Sequence, residues 1–181
     1  MPMPFSRAKK KVYTEDELYE YAVGALSRRM RTVAELKRRL RQKVEAETEL
    51  GRTLVELIIR RLKDQGYLND SKYAAAYSSF RRDNEKFGRM RVITDLKAKG
   101  VHGDIINTAV SAIYDGVNEE KQARAYLQRK RLRKPVNEKQ TARIFRRLVR
   151  AGFRSKTIFT ILKEWDVDEQ TLTALETETT E

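Results

Sequence analysis

Few residues of this sequence are of the types, or at the spacings, that catalysis or metal binding requires. His102 is the only histidine, and it lies in a predicted turn beside Gly100 and Gly103, where we expect a solvated turn residue rather than a general base or a metal ligand. The chain has no cysteine, which excludes disulfides, thiolate zinc sites, iron–sulfur clusters and a cysteine nucleophile. Neither a phosphate-binding glycine motif nor a metal-spaced set of acids is present. We therefore expect no metal, no other cofactor and no catalytic activity.

The clustered acidic residues lie where helices are predicted to begin. Thr14 and Glu17, and again Thr32 and Glu35, have the spacing of a capping box, in which the threonine and glutamate side chains bond free amides of the first helical turn. Further acids at positions 119–120 also precede a helical pattern, where the helix dipole favours negative charge. Helix capping therefore explains these acids without an active site.

The basic residues are many and unevenly distributed. The formal net charge of the 181 residues is +13; residues 28–43 contain eight Lys/Arg and one acid, and residues 121–156 contain fourteen and one. After Lys163 the chain has no basic residue. Such local density favours a polyanionic partner, because long cationic side chains suit phosphate contact. An acidic protein surface would satisfy the same residues.

Apolar residues at 3.6-residue spacing predict nine helices, and no alternating strand pattern competes with them. The first three are expected at about 14–29, 32–44 and 50–65. Leu57 is expected on the apolar face of the third helix and Phe80 on that of the fourth. The tyrosines and Trp165 also fall at helical spacing among apolar residues, so we expect them to pack in the core rather than to stack on bases.

The stretch GYLND, residues 66–70, is predicted to end one helix and to begin the next. Gly66 can adopt positive φ, and Tyr67 supplies an apolar residue just past the helix end. Asn69 or Asp70 can accept hydrogen bonds from the first free amides of the following helix. We expect the motif to be structural rather than a contact surface.

The helical pattern repeats along the chain. An offset of 52 residues maps Leu96 onto Leu148 and Gly100 onto Gly152, and the first copy has about four extra residues near 45–48. The sequence thus predicts an all-α fold, an elongated and curved array of three tandem three-helix repeats. The repeats are expected at 14–68, 69–117 and 118–166, with a disordered basic arm at 1–13 and an acidic tail at 167–181.

Three motifs in this order resemble the RecX family of regulators of the RecA recombinase. They are ALSRRMRTVAELKRRL at 25–40, GYLNDSKYAAAY at 66–77 and GRMRVITDLKAKGV at 88–101, and the resemblance covers about residues 18–165. It implies a non-enzymatic protein that binds in the groove of the RecA filament on single-stranded DNA. Such a protein inhibits ATP hydrolysis and strand exchange and limits filament growth in recombination and DNA repair.

The density of basic residues selects candidate contacts to the filament or its DNA: Arg28, Arg29, Arg38, Arg39, Arg81, Arg82, Lys97 and Lys99 in the first two repeats, and Arg131, Arg146, Arg147 and Arg150 in the third. The alternatives are a nucleic-acid-binding helical module that acts without RecA, on single- or double-stranded DNA, and a scaffold that binds only protein. A cytoplasmic protein is expected, since the basic N-terminal stretch lacks the apolar run of a secretory signal and no segment approaches the ~18 apolar residues of a membrane span. We also expect a monomer.

Overall fold

The computed structural model describes residues 13–45 and 48–180, and these residues form ten helices and no strand. The prediction of an all-α fold is therefore confirmed. Residues 1–12 of the basic arm, residues 46–47 of the extra segment in the first repeat, and Glu181 lie outside the described residues. The helices are α1 (Glu15–Arg28), α2 (Val33–Arg41), α3 (Glu49–Asp64), α4 (Asp70–Asp83), α5 (Arg89–Ala98), α6 (Gly103–Tyr114), α7 (Glu119–Arg129), α8 (Glu138–Arg150), α9 (Ser155–Lys163) and α10 (Glu169–Thr180).

Both predicted capping boxes are formed. Thr14 Oγ1 accepts a hydrogen bond from the Glu17 amide at 3.3 Å, and Glu17 Oε2 accepts one from the Thr14 amide at 3.1 Å. The same reciprocal pair joins Thr32 and Glu35 at the start of α2. Helices α1 and α2 therefore begin where local side-chain chemistry predicts.

The described chain divides into two compact units. Unit 1 contains the described residues up to Tyr73 together with Lys99–Val101. Its core is formed by α1, α2 and α3 and includes Leu18, Ala22, Leu36, Leu40, Val55, Ile58, Ile59, Leu62 and Leu68. Leu57 is exposed, so its predicted burial is wrong; the buried stripe of α3 runs through Val55 and Ile59 instead.

The GYLND motif ends α3 as predicted, although the roles of its individual residues differ from the prediction. Gly66 has a φ of +75°. The residue that returns to the core is Leu68, which is 3% exposed and whose amide bonds the Leu62 carbonyl at 3.2 Å, whereas Tyr67 is 59% exposed. Asn69 caps α4 by accepting from the Lys72 amide, but the Asp70 carboxylate accepts from the Val33 amide at 2.9 Å and so caps α2.

Unit 2 contains residues 74–98 and the chain from His102 onward. Its buried cluster lies among α7, α8, α9 and α10 and includes Tyr126, Ile144, Phe145, Leu148, Phe153, Ile158, Ile161, Leu162, Leu172 and Leu175. Helix α10 occupies the segment expected as an acidic tail, and it is a tenth helix where nine were predicted. Phe80 on α4 is exposed, so the predicted burial of this residue is wrong.

Two glycines bring the start of α5 against the end of α8. The Gly88 amide donates to the Ala151 carbonyl at 2.8 Å, and the Met90 amide donates to the Gly152 carbonyl at 3.3 Å. A Cβ atom on Gly152 would lie 2.1 Å from the backbone nitrogen of Arg91, so only glycine permits this approach. The contact places side chains of α5 beside those of α8.

Candidate nucleic-acid interface

The predicted basic residues of unit 1 fall into two groups. Arg28, Arg29 and Arg38 are exposed, and their side chains make no hydrogen bond or ion pair to any described residue. Arg39 instead packs on α1, where its Nη2 donates to the Tyr21 hydroxyl at 3.0 Å and its guanidinium lies 5.9 Å from the ring centre. The first group is available to an anionic partner, whereas Arg39 also serves the fold.

Arg31, which was not among the predicted contacts, is a buried cation of unit 1. Its Nε donates to the Ala25 carbonyl at 3.1 Å near the end of α1. Burial lowers the pKa of Arg31, and the neighbouring charges of Arg29 and Arg39 lower it further. Its position in the sequence, just before the Thr32 cap, gave no sign of burial.

Lys99, a predicted contact, is engaged within unit 1. Its Nζ lies 3.1 Å from Glu35 Oε1, and its backbone carbonyl accepts a 2.7 Å hydrogen bond from the Thr32 hydroxyl. Burial alone would raise the pKa of Glu35 and lower that of Lys99, but the hydrogen bond and the charge of each partner reverse both directions. Lys99 therefore fastens residues 99–101 to α2.

Arg81 and Arg82 join helices within unit 2. The Nε of Arg81 donates to the Tyr77 hydroxyl at 2.8 Å, and the same hydroxyl donates to the Asp95 carboxylate at 2.9 Å. Arg82 Nη1 donates to the Ile113 carbonyl at 2.7 Å and Arg82 Nε lies 2.7 Å from Asp83 Oδ1. The hydrogen bond to Asp83 raises the pKa of Arg82 although burial opposes it. Both arginines are half-buried, and their guanidinium groups are already engaged by residues of unit 2.

The remaining predicted contacts also lie in unit 2. Lys97 and Arg131 are exposed and form no side-chain bond with the described residues. Arg146 is exposed and lies 3.7 Å from Glu178 on α10. Arg147 and Arg150, in contrast, face a cleft together with residues that sequence analysis did not select.

This cleft, which we call the arginine cleft, has a volume of about 340 Å³ and four arginines in its lining. Arg143, Arg147 and Arg150 come from α8, where positions i, i+4 and i+7 lie on one face. Arg91 comes from α5, with its Nη1 3.3 Å from the Arg150 carbonyl and its Nε 3.0 Å from Asp95 Oδ1. The rest of the lining is Phe87, Tyr126 and Ala151.

Arg91 and Arg143 were not among the residues predicted from the sequence. The spacing of Arg143 from Arg147 is a helical signal that could have added it to the set. Nothing comparable pointed to Arg91, because it reaches the cleft only through the approach of α5 to α8.

No metal site or membrane span is found in the part of the chain that the structure describes. No group of three or more His, Asp or Glu residues in 13–45 and 48–180 could hold a metal ion. The His102 side chain is 77% exposed, with Nδ1 3.4 Å from Asp104. No helix formed by the described residues is both long and apolar enough to cross a bilayer.

Two family models match this sequence. The description of one is "RecX, first three-helix domain", and it matches residues 19–49; the other is "RecX, second three-helix domain", and it matches residues 69–110. The first match covers most of α1, all of α2 and the first residue of α3, and the second covers α4, α5 and most of α6.

Curated relatives with the name "Regulatory protein RecX" match most of the chain. The protein of Mycobacterium leprae is 30% identical over 148 residues, which is 80% of this chain and 82% of the relative. That of Chromobacterium violaceum is 31% identical over 141 residues, 78% of this chain and 86% of the relative. The match to the Bacillus licheniformis protein is 30% identical and covers 83% of this chain, but it spans only 56% of that longer relative.

Solved structures share the fold. A crystal structure of RecX from Lactobacillus salivarius superposes with a TM-score of 0.63 at 24% identity, covering 84% of this chain and 96% of that one. A second structure, titled as regulatory protein RecX, has a TM-score of 0.67 at 22% identity and covers 83% of this chain and 73% of its own. The sequence relatives matched over most of both chains, together with the two domain models, show that this chain belongs to the RecX family.

Proposed function

We propose that this protein binds the RecA filament on single-stranded DNA and inhibits RecA-dependent ATP hydrolysis, strand exchange and filament growth. Membership of a family whose proteins are named regulatory proteins supports a regulatory role. The observation that carries the DNA part of the proposal is the set of arginines in both units whose side chains have no partner among the described residues. Cations left unneutralised by the fold attract a polyanion, and single-stranded DNA in a filament is one.

The structure narrows the set of side chains that we propose as contacts. Seven of the twelve predicted residues make no side-chain bond to the described residues and stay the first candidates: Arg28, Arg29, Arg38, Lys97, Arg131, Arg147 and Arg150. Arg146 is exposed and Arg39 is half-buried, and each makes an intramolecular contact. For Arg81, Arg82 and Lys99 we propose a role in holding helices together, because their charged groups are already bonded.

The remaining parts of the proposal follow from the same role. A regulator of this kind needs no catalytic residues and no cofactor, and it works in the cytoplasm where RecA assembles on DNA. We propose that it acts as a monomer and without a membrane.

Co-sedimentation with RecA filaments on single-stranded DNA tests the proposal. The protein should pellet with the filament and lower the rate of RecA ATP hydrolysis. Replacing Arg28 and Arg38 together by alanine should weaken inhibition and flatten the slope of log affinity against log salt by at most ~1.4, at about 0.7 per phosphate contact. Arg60→Ala is the matched control, because Arg60 is an exposed arginine of unit 1 outside the proposed contacts. Inhibition that is unchanged in the double variant would exclude Arg28 and Arg38.

The arginine cleft favours a second candidate, a nucleic-acid-binding module that acts without RecA. Its four cations lie on one chain and need no filament to be brought together. Binding to single-stranded DNA with and without RecA separates the two functions. Equal affinity in both conditions, with no effect on RecA ATP hydrolysis, would favour the second candidate.

A further inference from the structure

We propose that the arginine cleft binds the sugar–phosphate backbone of a single nucleic-acid strand, with its guanidinium groups on adjacent phosphates. The inference rests on the proposed function in that the strand would be the one a RecA filament carries. It nevertheless concerns a contact that unit 2 makes by itself, so it can be tested without RecA.

The positive charge of the cleft is largely unbalanced by acids of the described chain. Asp95 is the carboxylate next to Arg91, but the side chains of Arg143, Arg147 and Arg150 form no hydrogen bond or ion pair with the described residues. Like charges gathered on one face repel each other, and an anion that enters between them removes that repulsion. A polyanion does so with several charges at once and releases its own counterions.

A neighbouring arginine of α8 has an acidic partner on α10, unlike the three α8 arginines of the cleft. Arg146 lies one turn from both Arg143 and Arg150, at the edge of the same face of α8, and its Nη1 is 3.7 Å from Glu178 Oε2 of α10. Glu178 pairs with Arg146 and Glu169 with Lys163, so neither of these acids is paired with the three α8 arginines of the cleft. Among the described residues, the ion pair therefore stays at the edge of this face, and the three arginines of the cleft remain available to a ligand.

One of the four cleft arginines, Arg91, is held in place by its neighbours. Arg91 is held by the Arg150 carbonyl, by Asp95 and by the Phe87 ring, whose centre lies 5.7 Å from its guanidinium. A guanidinium fixed in this way loses little freedom on binding, and its planar fork fits two phosphate oxygens. The site is therefore partly organised before the ligand arrives.

The aromatic residues of the cleft point to backbone contact rather than base stacking. The Phe87 ring already has the guanidinium groups of Arg81 and Arg91 at 5.1 and 5.7 Å from its centre. Tyr126 is buried and packs against Phe87 and Phe153, with ring centres 5.9 and 5.8 Å away. The Phe87 ring supports two guanidinium groups and Tyr126 packs against that ring, so we expect the cleft to bind phosphate and to be indifferent to base sequence.

The shape of the cleft favours a flexible strand over an acidic protein surface. Its volume of about 340 Å³ is at the lower end of pockets that take small molecules, about 300 to 1,000 Å³. A single strand can turn its phosphates into a concave site of this size. A folded acidic surface would need a protruding group of matching shape to reach the same cations.

The test measures binding of a fluorescein-labelled oligothymidylate to the whole chain by fluorescence anisotropy at several salt concentrations. Replacing Arg143 and Arg147 by alanine should flatten the slope of log affinity against log salt by up to ~1.4, which is about 0.7 for each phosphate that the variant no longer binds. The matched control replaces Arg60 and Arg133, two exposed arginines that lie outside the cleft and lack side-chain bonds to the described residues. The control should keep most of the slope.

Altered strands and a conservative variant identify the group that is bound. An abasic strand should bind nearly as well as oligothymidylate, whereas a methylphosphonate strand, which has bases but an uncharged backbone, should not bind the cleft. Replacing Arg143 and Arg147 by lysine should keep the salt slope and lower the affinity several-fold, because lysine keeps the charge and lacks the planar fork. Helicity should stay unchanged in both double variants, since neither side chain is bonded within the described chain.

Three results would overturn the inference. They are wild-type affinity and slope in the alanine variant, an equal drop in affinity in the control, and failure of the abasic strand to bind.

If the alanine variant binds DNA normally but no longer inhibits RecA, the cleft contacts protein, so the inference fails and the proposed function stands. If that variant binds DNA more weakly than the control does, while the wild-type chain does not bind RecA filaments, the proposed function fails and the inference stands.

Discussion

Replacing Gly152 by alanine tests whether the approach of α5 to α8 holds unit 2 together. Gly152 follows α8 with a φ of +87°, and a Cβ atom there would lie 2.1 Å from the backbone nitrogen of Arg91 and 2.9 Å from its Cα. Backbone atoms cannot rotate out of the way as a flexible side chain can. The substitution must therefore strain the left-handed residue and also push α5 away from α8.

The expected decrease in stability has two parts. An alanine in the left-handed region costs about 1–2 kcal/mol relative to glycine. Overlap that forces the backbone to shift costs typically about 1–3 kcal/mol more. Gly116→Ala is the matched control, because Gly116 has a φ of +79° in the same unit but no atom within 4 Å of the added Cβ. Gly152→Ala should therefore lower the free energy of unfolding by about 2–5 kcal/mol and Gly116→Ala by about 1–2 kcal/mol.

Urea denaturation followed by tryptophan fluorescence measures both variants. Trp165 is the only tryptophan, and it packs against the buried cluster of unit 2, so its emission reports on that unit. The midpoint of Gly152→Ala should fall well below that of Gly116→Ala. Equal midpoints for the two variants would refute the reasoning, because the steric overlap with Arg91 would then contribute nothing.

Three further changes test other contacts of the fold. Asp70→Ala should lower the free energy of unfolding by about 1 kcal/mol in thermal melts, since it removes a side-chain cap from the start of α2. Glu35→Gln should destabilise unit 1 by about 1–2 kcal/mol near neutral pH. The difference in stability from wild type should vanish as pH falls through the lowered pKa of Glu35, and also as pH rises through the raised pKa of Lys99. A difference that is constant from acid to alkaline pH would contradict this prediction. Leu172→Ala should lower the free energy of unfolding by about 2–5 kcal/mol because Leu172 is fully buried. Leu50→Ala, at an exposed site, should change it by less than about 0.5 kcal/mol. Equal effects of the two substitutions would exclude α10 from the folded unit.

Features that depend on near neighbours in the chain were predictable from the sequence. The capping boxes at Thr14 and Thr32 join residues three positions apart, so their geometry follows once a helix begins there. Gly66 was predictable for the same reason, because a helix stop is a local backbone event. The all-α class follows from apolar spacing summed over many residues, which tolerates local errors such as those at Leu57 and Phe80.

Features that depend on distant parts of the chain were decided by the tertiary structure. The Asp70 carboxylate caps a helix 37 residues earlier, and Lys99 is neutralised by Glu35 across 64 residues. The leucines of α10 are buried only because α8 and α9 supply a surface for them, which the acidic composition of that segment conceals. In each case the outcome depends on which helices meet, and the spacing of residues along one helix does not specify its partner.

The candidate site also combines features that the sequence determines with features that depend on the tertiary structure. The sequence by itself determined that this chain carries a dense excess of arginine and lysine on helices, since charge and helical periodicity are properties of the residues. The tertiary structure decided which of these cations are free, because pairing depends on the acids and carbonyls that packing brings within about 4 Å. It also created the arginine cleft, since Arg91 joins Arg143 and Arg147 only where two glycines let the backbones of α5 and α8 approach.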